Sequence, residues 1–202
     1  MMIVRSMLGA ARRKVFEAFD RTAHPMRRRS ARKKLGELPE VRRILFVCHG
    51  NIYRSPWAEA AFRSHLPDHL RERVQALSAG FVGPGRPAPA ESVTLAERQG
   101  LDLTAHRSQL LTPALVCESD LVVVMNGAQQ AEICRRFNYP RRRVLVLGDL
   151  DPAVVGTREV TDPWNRPVEV LVGSTQRIMR CTSELARELS RKVEDTSSGE
   201  GS

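Results

Sequence analysis

Apolar and polar positions along this chain follow two alternating periods. Ile44–Val47, Asp120–Met125 and Val144–Leu147 are near-continuous apolar runs, and Val74–Ser78 is a fourth short segment of strand character. Unbroken apolarity over so few residues marks strands buried on both faces. Helical periods lie between them. One runs from Ser55 to about Leu66 with Trp57, Ala58, Ala61 and Phe62 inward, and Ser55-Pro56 supplies a hydroxyl N-cap with proline at the first helical position. Ala90–Gln99 is a second, with Gly100 suited to the position just past its end. Thr112-Pro113 starts a short helix, and Ala128–Phe137 is closed by Asn138 and Pro140. Pro167 opens the last, where Val168, Leu171, Val172, Thr175, Ile178, Met179, Thr182, Leu185, Ala186 and Leu189 share one face. Strands alternating with helices predict an α/β fold: a four-stranded parallel sheet with helices on both faces and a ligand at the carboxyl ends of the strands.

The two ends have a different character. Val4, Met7, Leu8, Ala11, Val15, Ala18 and Phe19 recur at helical spacing between Arg5, Arg12, Arg13 and Lys14, which reads as a basic amphipathic helix. Leu35–Arg43, with Gly36 and Pro39, reads as a linker, and polar Glu194–Ser202 as a disordered tail. The expected organisation is therefore a basic extension and linker over 1–43, one domain over 44–193, and a tail over 194–202.

Charge sharpens this division. Of the net +9, residues 1–43 hold all of it, with 13 Lys/Arg against 4 Asp/Glu, while residues 44–202 carry 19 of each sign. Arg27-Arg28-Arg29 and Arg32-Lys33-Lys34 add to the amphipathic stripe, so residues 1–34 are expected to contact an anionic membrane surface, the alternative being an ordinary helix docked against the domain. Nucleic acid is not an expected partner. No apolar stretch approaches the roughly 18–20 residues of a spanning helix, and the start lacks the apolar core of a secretory signal. Cys48, Cys117, Cys134 and Cys181 form no close pair and no metal-ligand spacing, which points to a reducing, cytoplasmic setting, peripheral at a membrane.

The chemistry concentrates in Ile44–Glu59, ILFVCHGNIYRSPWAE. A buried strand, a tight loop and a helix start together make a phosphate cradle. The N–H groups of His49, Gly50, Asn51, Ile52 and Tyr53 can converge on one point, with the positive end of the helix dipole behind them. Arg54 can fork two donors onto phosphate oxygens. The same positive field favours a thiolate at Cys48, to which Ser55 could add a hydrogen bond. Asn51 tolerates a left-handed turn. A phosphate-ester substrate also needs a proton donor for its leaving oxygen. Asp162 suits this, being followed by Pro163, which holds it extended, and by Trp164, an aromatic wall; Asp149 and Asp151 are rivals by composition. Gly83-Pro84-Gly85 superficially opens a dinucleotide fingerprint, but the third glycine is missing and prolines follow.

Cys48-x5-Arg54-Ser55, with Gly50-Asn51 inside and Pro56 after, resembles the signature of the low-molecular-weight protein tyrosine phosphatases. The resemblance continues to about Val193 through Ser78-Ala79-Gly80, Gly100-Leu101-Asp102, His106-Arg107, Asp120–Met125 and Asp162-Pro163. It implies hydrolysis of phosphotyrosine in two steps through a phosphocysteine on Cys48, with Arg54 holding the phosphoryl group and Asp162, rather than its rivals, as general acid. It implies no metal and no cofactor. His49, Gly50, Asn51, Ile52, Tyr53 and Trp164 would bind phosphate and shape the pocket, while Asn51, Ser55, Ser78 and His106 would support the loop. The implied partner is a phosphotyrosine protein such as a membrane-associated tyrosine kinase. The chain departs from the family pattern in having Ile52 and Tyr53 where many relatives carry a second loop cysteine, Asn126 in place of an acid, and Asn165 in place of a second aromatic.

Two other functions use the same loop. Arsenate reduction coupled to thioredoxin would need further thiols as a relay, for which Cys117 and Cys134 are poorly spaced. A non-catalytic phosphopeptide-binding module would not need nucleophile, arginine and acid together.

Overall fold

The computed structural model describes residues 2–199, and side chains over 18–193. Its centre is a four-stranded, all-parallel sheet. The strands β1 (Arg43–Cys48), β2 (Gln75–Gly80), β3 (Leu121–Val124) and β4 (Val144–Val146) lie in the order β2-β1-β3-β4. β1 is thus central, its Cys48 level with Gly80 on one side while Val47 pairs with Val124 on the other. Residues 44–48 are all buried, as their unbroken apolarity requires.

The helices are α1 (Met2–Glu37), α2 (Arg54–His65), the one-turn α3 (Asp68–Arg71), α4 (Ala90–Glu97), α5 (Pro113–Cys117), α6 (Gly127–Phe137) and α7 (Val168–Gly199). Alternate strand side chains feed two cores. Ile44, Phe46, Leu121, Val123 and Leu145 meet Trp57 and Phe62 of α2, Ile178 and Leu185 of α7, and Leu35 of α1. Leu45, Val47, Val122, Val124 and Val146 meet Val116 of α5 and Ile133 of α6 on the opposite face. Each such side chain contributes about 1.5–3 kcal/mol by leaving water, and helices on both faces of a parallel sheet satisfy both rows at once.

Local signals end the helices where spacing alone is ambiguous. The Asn126 side chain caps α6 by accepting from Gln129 N at 2.9 Å, while Gln129 Oε1 accepts from Met125 N at 2.8 Å. Asn138, at φ 47°, closes the same helix in the left-handed conformation. Thr112 caps α5 through Leu115 N.

Some expectations change. Leu35–Arg43 is not a free linker. α1 continues through Gly36 to Glu37, and Leu35, Leu38 and Val41 are buried in the first core. Gly36 faces open space, so its weak helix propensity costs only about 1 kcal/mol, which the two leucines outweigh. Ion pairs from Arg28 to Glu184 and from Arg32 to Glu188 tie α1 along α7. Ser55 is not an N-cap: α2 starts one residue earlier, and Tyr53 at the cap makes no side-chain cap bond. Val168 begins α7 beyond the packed face and is exposed. α7 continues as helix to Gly199, because nothing between Glu194 and Ser198 interrupts it. The side chains of the tail after Val193, and those of the amphipathic stripe before Ala18, lie outside the described residues.

If α1 is part of the core, Leu35→Ala should lower stability by about 2–5 kcal/mol, as large-to-small changes at packed sites do. Denaturant unfolding followed by circular dichroism measures this; a loss near zero would return the segment to linker status.

Candidate active site

The seven residues Cys48–Arg54 turn the chain from β1 into α2 with Asn51 at φ 51°. The Asn51 N–H and the Ser55 hydroxyl point at the Cys48 Sγ, at 3.2 and 3.1 Å. Amides facing inward leave carbonyls facing outward, and each of three finds a donor. His49 O accepts from Phe81 N at 2.8 Å and Val82 N at 3.2 Å. Gly50 O accepts from Arg86 Nη2 at 2.8 Å, and Asn51 O from His106 Nε2 at 2.7 Å. A carbonyl can only accept, so the proton of that last bond belongs to His106 Nε2.

Asn51 is wholly buried beneath the loop. Its Nδ2 donates to Ser55 Oγ and Ser78 Oγ, both at 2.9 Å, and its Oδ1 accepts from Gln109 N at 2.8 Å. With one hydroxyl proton, Ser55 accepts from Asn51 and gives toward sulfur. The loop crosses β2 so closely at Gly80 that a Cβ there would meet Asn51 N at 2.8 Å and Gly50 C at 2.9 Å.

Cys48 and Arg54 are only 2% and 3% exposed. They open into a pocket of about 230 Å³ together with His49, Gly50, Ile52, Tyr53, Val82, Arg86, Asp162 and Trp164. Arg54 Nη2 is paired with the Asp162 carboxylate, and its Nη1 donates to Val160 O at 3.2 Å. Asp162 Oδ1 also accepts from Trp164 N at 3.2 Å. The segment bearing Asp162 is fastened on both sides, Val160 N to Met125 O at 2.9 Å and Ser174 Oγ to Thr161 O at 2.5 Å. Trp164, 60% exposed, stands edge-on to Tyr53 at 6.3 Å between ring centroids. Tyr53 donates its hydroxyl to the Glu91 carboxylate; burial first, and then that bond, push the phenol above its ordinary range.

The residues singled out in the sequence thus meet at one place, with one change of position: Asn51 lies under the pocket instead of lining it, and presents its backbone N–H upward. Asp149 and Asp151 are elsewhere. Asp149 is held by Arg158 and Arg27, and buried Asp151 by Arg177 at 2.9 Å and Arg180 at 3.1 Å. No second thiol lines the pocket. Cys117 is exposed at the end of α5, Cys134 packs against the opposite core, and burial pushes the Cys181 thiol up. Val82, Arg86, Glu91 and Gln109 were not legible. An arginine inside a Gly/Pro-rich segment was the one available signal, and such segments usually only turn.

The chain is similar to known proteins over the stretch that carries this site. The family model "Low molecular weight phosphotyrosine protein phosphatase" matches residues 43–195. A probable low molecular weight protein-tyrosine-phosphatase, EpsP, of Ralstonia nicotianae is 35% identical over 141 residues, 69% of this chain and 90% of that protein. A protein-arginine-phosphatase of Bacillus subtilis is 30% identical over 150 residues, 73% of this chain and 97% of that one. Among solved structures, Vibrio vulnificus Wzb in complex with benzylphosphonate superposes with a TM-score of 0.64 at 26% identity, covering 73% of this chain and 99% of its own.

The close crossing at Gly80 predicts that Gly80→Ala weakens binding of inorganic phosphate roughly tenfold, since forcing a methyl into a packed site costs about 1–3 kcal/mol. Isothermal titration of phosphate into both proteins checks it.

Proposed function

Because this chain belongs to the low molecular weight phosphotyrosine protein phosphatase family and is a cysteine-dependent protein-tyrosine-phosphatase, we propose that Cys48 is its nucleophile, Arg54 its phosphoryl clamp and Asp162 its general acid. The observation that carries these roles is the meeting of all three in one pocket around a sulfur already held by two hydrogen bonds. A substrate phosphoryl group enters the loop and draws the Arg54 guanidinium onto its oxygens. The Cys48 sulfur attacks phosphorus in line with the tyrosyl oxygen, the P–O bond breaks, and Asp162 gives its proton to the departing phenol. The charge on the three equatorial oxygens rests on the loop N–H groups and Arg54. Asp162, now a carboxylate, takes a proton from water as that water attacks the phosphocysteine. The P–S bond breaks, and phosphate leaves.

Side-chain chemistry supports tyrosine over arginine as the phosphorylated residue. Ile52, Tyr53 and Trp164 offer apolar and aromatic walls to a ring, while Arg86 at the same pocket repels a guanidinium. Substrates are phosphotyrosine proteins, and a membrane-associated tyrosine kinase is the partner this reading favours. The chain works in the cytoplasm at an anionic membrane surface through residues 1–34. The spacing of Val4, Leu8, Ala11 and Val15, carried forward, reaches Phe19 and Met26. Those two are 67% and 77% exposed beside the exposed cations Arg29 and Lys33. Large apolar side chains left in water among cations suit an interfacial helix. No helix among the described residues is long and apolar enough to cross a membrane.

Two experiments test this reading. Without added metal, the wild type should hydrolyse p-nitrophenyl phosphate and Cys48→Ser should not. Asp162→Asn should lower kcat by about 10²–10⁴-fold, the range of general acid catalysis, and more for phenyl phosphate than for the nitrophenyl ester, whose better leaving group needs less protonation. Equal losses on both esters would remove Asp162 from the acid's role. In a sedimentation assay, the protein should bind vesicles containing phosphatidylglycerol but not neutral ones. Binding should fall with salt as surface charge is screened, and Phe19→Ser with Met26→Ser should reduce it.

A further inference from the structure

Arg86 lies in the loop between β2 and α4 and contributes to the pocket without serving the chemistry described above. One edge of its guanidinium is fully used. Nε donates to Gly83 O at 2.9 Å, and Nη2 to Gly50 O at 2.8 Å and Val82 O at 3.1 Å. The planar group lies so flat against Gly83, itself at φ 68°, that a Cβ there would overlap it. The other edge is different: Nη1 makes no hydrogen bond among the described residues. Arg86 is therefore a fixed cation with one pair of N–H donors unspent.

Its place in the pocket defines what it can reach. Cys48 and Arg54 form the buried end, whereas Val82, 42% exposed, and Trp164 form the rim, with His49 also exposed. A phosphotyrosine whose phosphate sits over Cys48 fills the space between Ile52, Tyr53 and Trp164 with its ring, so the substrate main chain emerges at the rim. Arg86 is half-buried there. Among the described residues Asp162 is the one lining carboxylate, and Arg54 engages it, so the positive charge of Arg86 is not offset within the pocket lining.

We propose that Arg86 Nη1, in the pocket that His49 also lines, forms a carboxylate subsite that receives an Asp or Glu side chain adjacent to the phosphotyrosine of the protein substrate. A single free donor pair on a planar guanidinium, with no converging backbone amides, matches a carboxylate rather than a second phosphate. This subsite rests on the phosphatase reading and narrows its substrates to acidic segments.

The test compares two phosphotyrosyl peptides identical except for Glu or Lys beside the phosphotyrosine, scored as the ratio of their kcat/KM values. Since both are read on one enzyme, damage to the Gly50 anchor cancels from the ratio. The wild type should favour the Glu peptide about three- to fivefold, the scale of a rim ion pair, and the preference should shrink as salt rises. Arg86→Gln should bring the ratio near one. Arg86→Lys, which keeps the charge but loses the fork onto Gly50 and Gly83, should retain most of the preference while lowering kcat. A wild-type ratio near one in an active enzyme, or an unchanged ratio in Arg86→Gln, overturns the subsite. Failure of the wild type to cleave either peptide would overturn the phosphatase reading beneath it.

Discussion

Turning the backbone N–H groups of a seven-residue loop toward one point sends its carbonyls the other way, where each needs a donor in a place water reaches poorly. The rest of the domain is arranged around meeting that demand. Phe81 and Val82 supply N–H groups from the loop after β2, Arg86 reaches back from further along it, and His106 arrives from the segment before α5. Asn51 makes the reversal possible by accepting a left-handed backbone, and its amide then joins Ser55, Ser78 and Gln109 into one network. A buried network of this kind is stable only when every member is satisfied. β2 must therefore lie beside β1, and must carry a glycine where the loop crosses it.

A second constraint concerns the segment that bears Asp162. It is a long connection without regular structure, and such connections are ordinarily mobile. Here buried charge holds it. Arg177 donates to Glu159 O and Thr157 O, Arg158 grips Asp149, and Asp20 of α1 accepts the Arg158 N–H at 3.2 Å. The two aspartates that rival Asp162 in the sequence are thus parts of the clamp, each neutralised by two arginines. α1 shares in that clamp, so the N-terminal helix and the segment that carries Asp162 are mechanically joined although they are far apart in sequence.

The sheet was legible because β1 beyond Arg43, β3 and β4 are apolar and buried throughout, while β2, with Gln75 exposed and Ser78 polar, carried the weaker signal. Helices α4 to α7 were legible from caps and breakers, Gly100, Thr112, Asn138 and Pro167 among them, whereas the one-turn α3 is too short to carry a period. The loop read well because a strand, a cysteine, an arginine and a helix start leave few alternatives. The misreadings share a cause, which is that a residue type permits more than one use. Gly36 and Pro39 suggested a linker, but burial of Leu35 and Leu38 outweighed them. Ser55 had the right position to cap a helix, yet the sulfur below offered its hydroxyl a better bond. Arg86 and Gln109 had no pattern at all, since their roles arise from loops brought together only by the sheet order.

The bond between His106 and the Asn51 carbonyl has one more consequence. The neutral ring with its proton on Nε2 and the doubly protonated imidazolium both donate at that atom, so gaining a proton leaves the bond in place. Histidine, the side chain most prone to change state in mildly acidic surroundings, is used here where such a change does not undo the scaffold. Acidity therefore does not act on the loop through this bond, whichever of the two donating forms the ring takes.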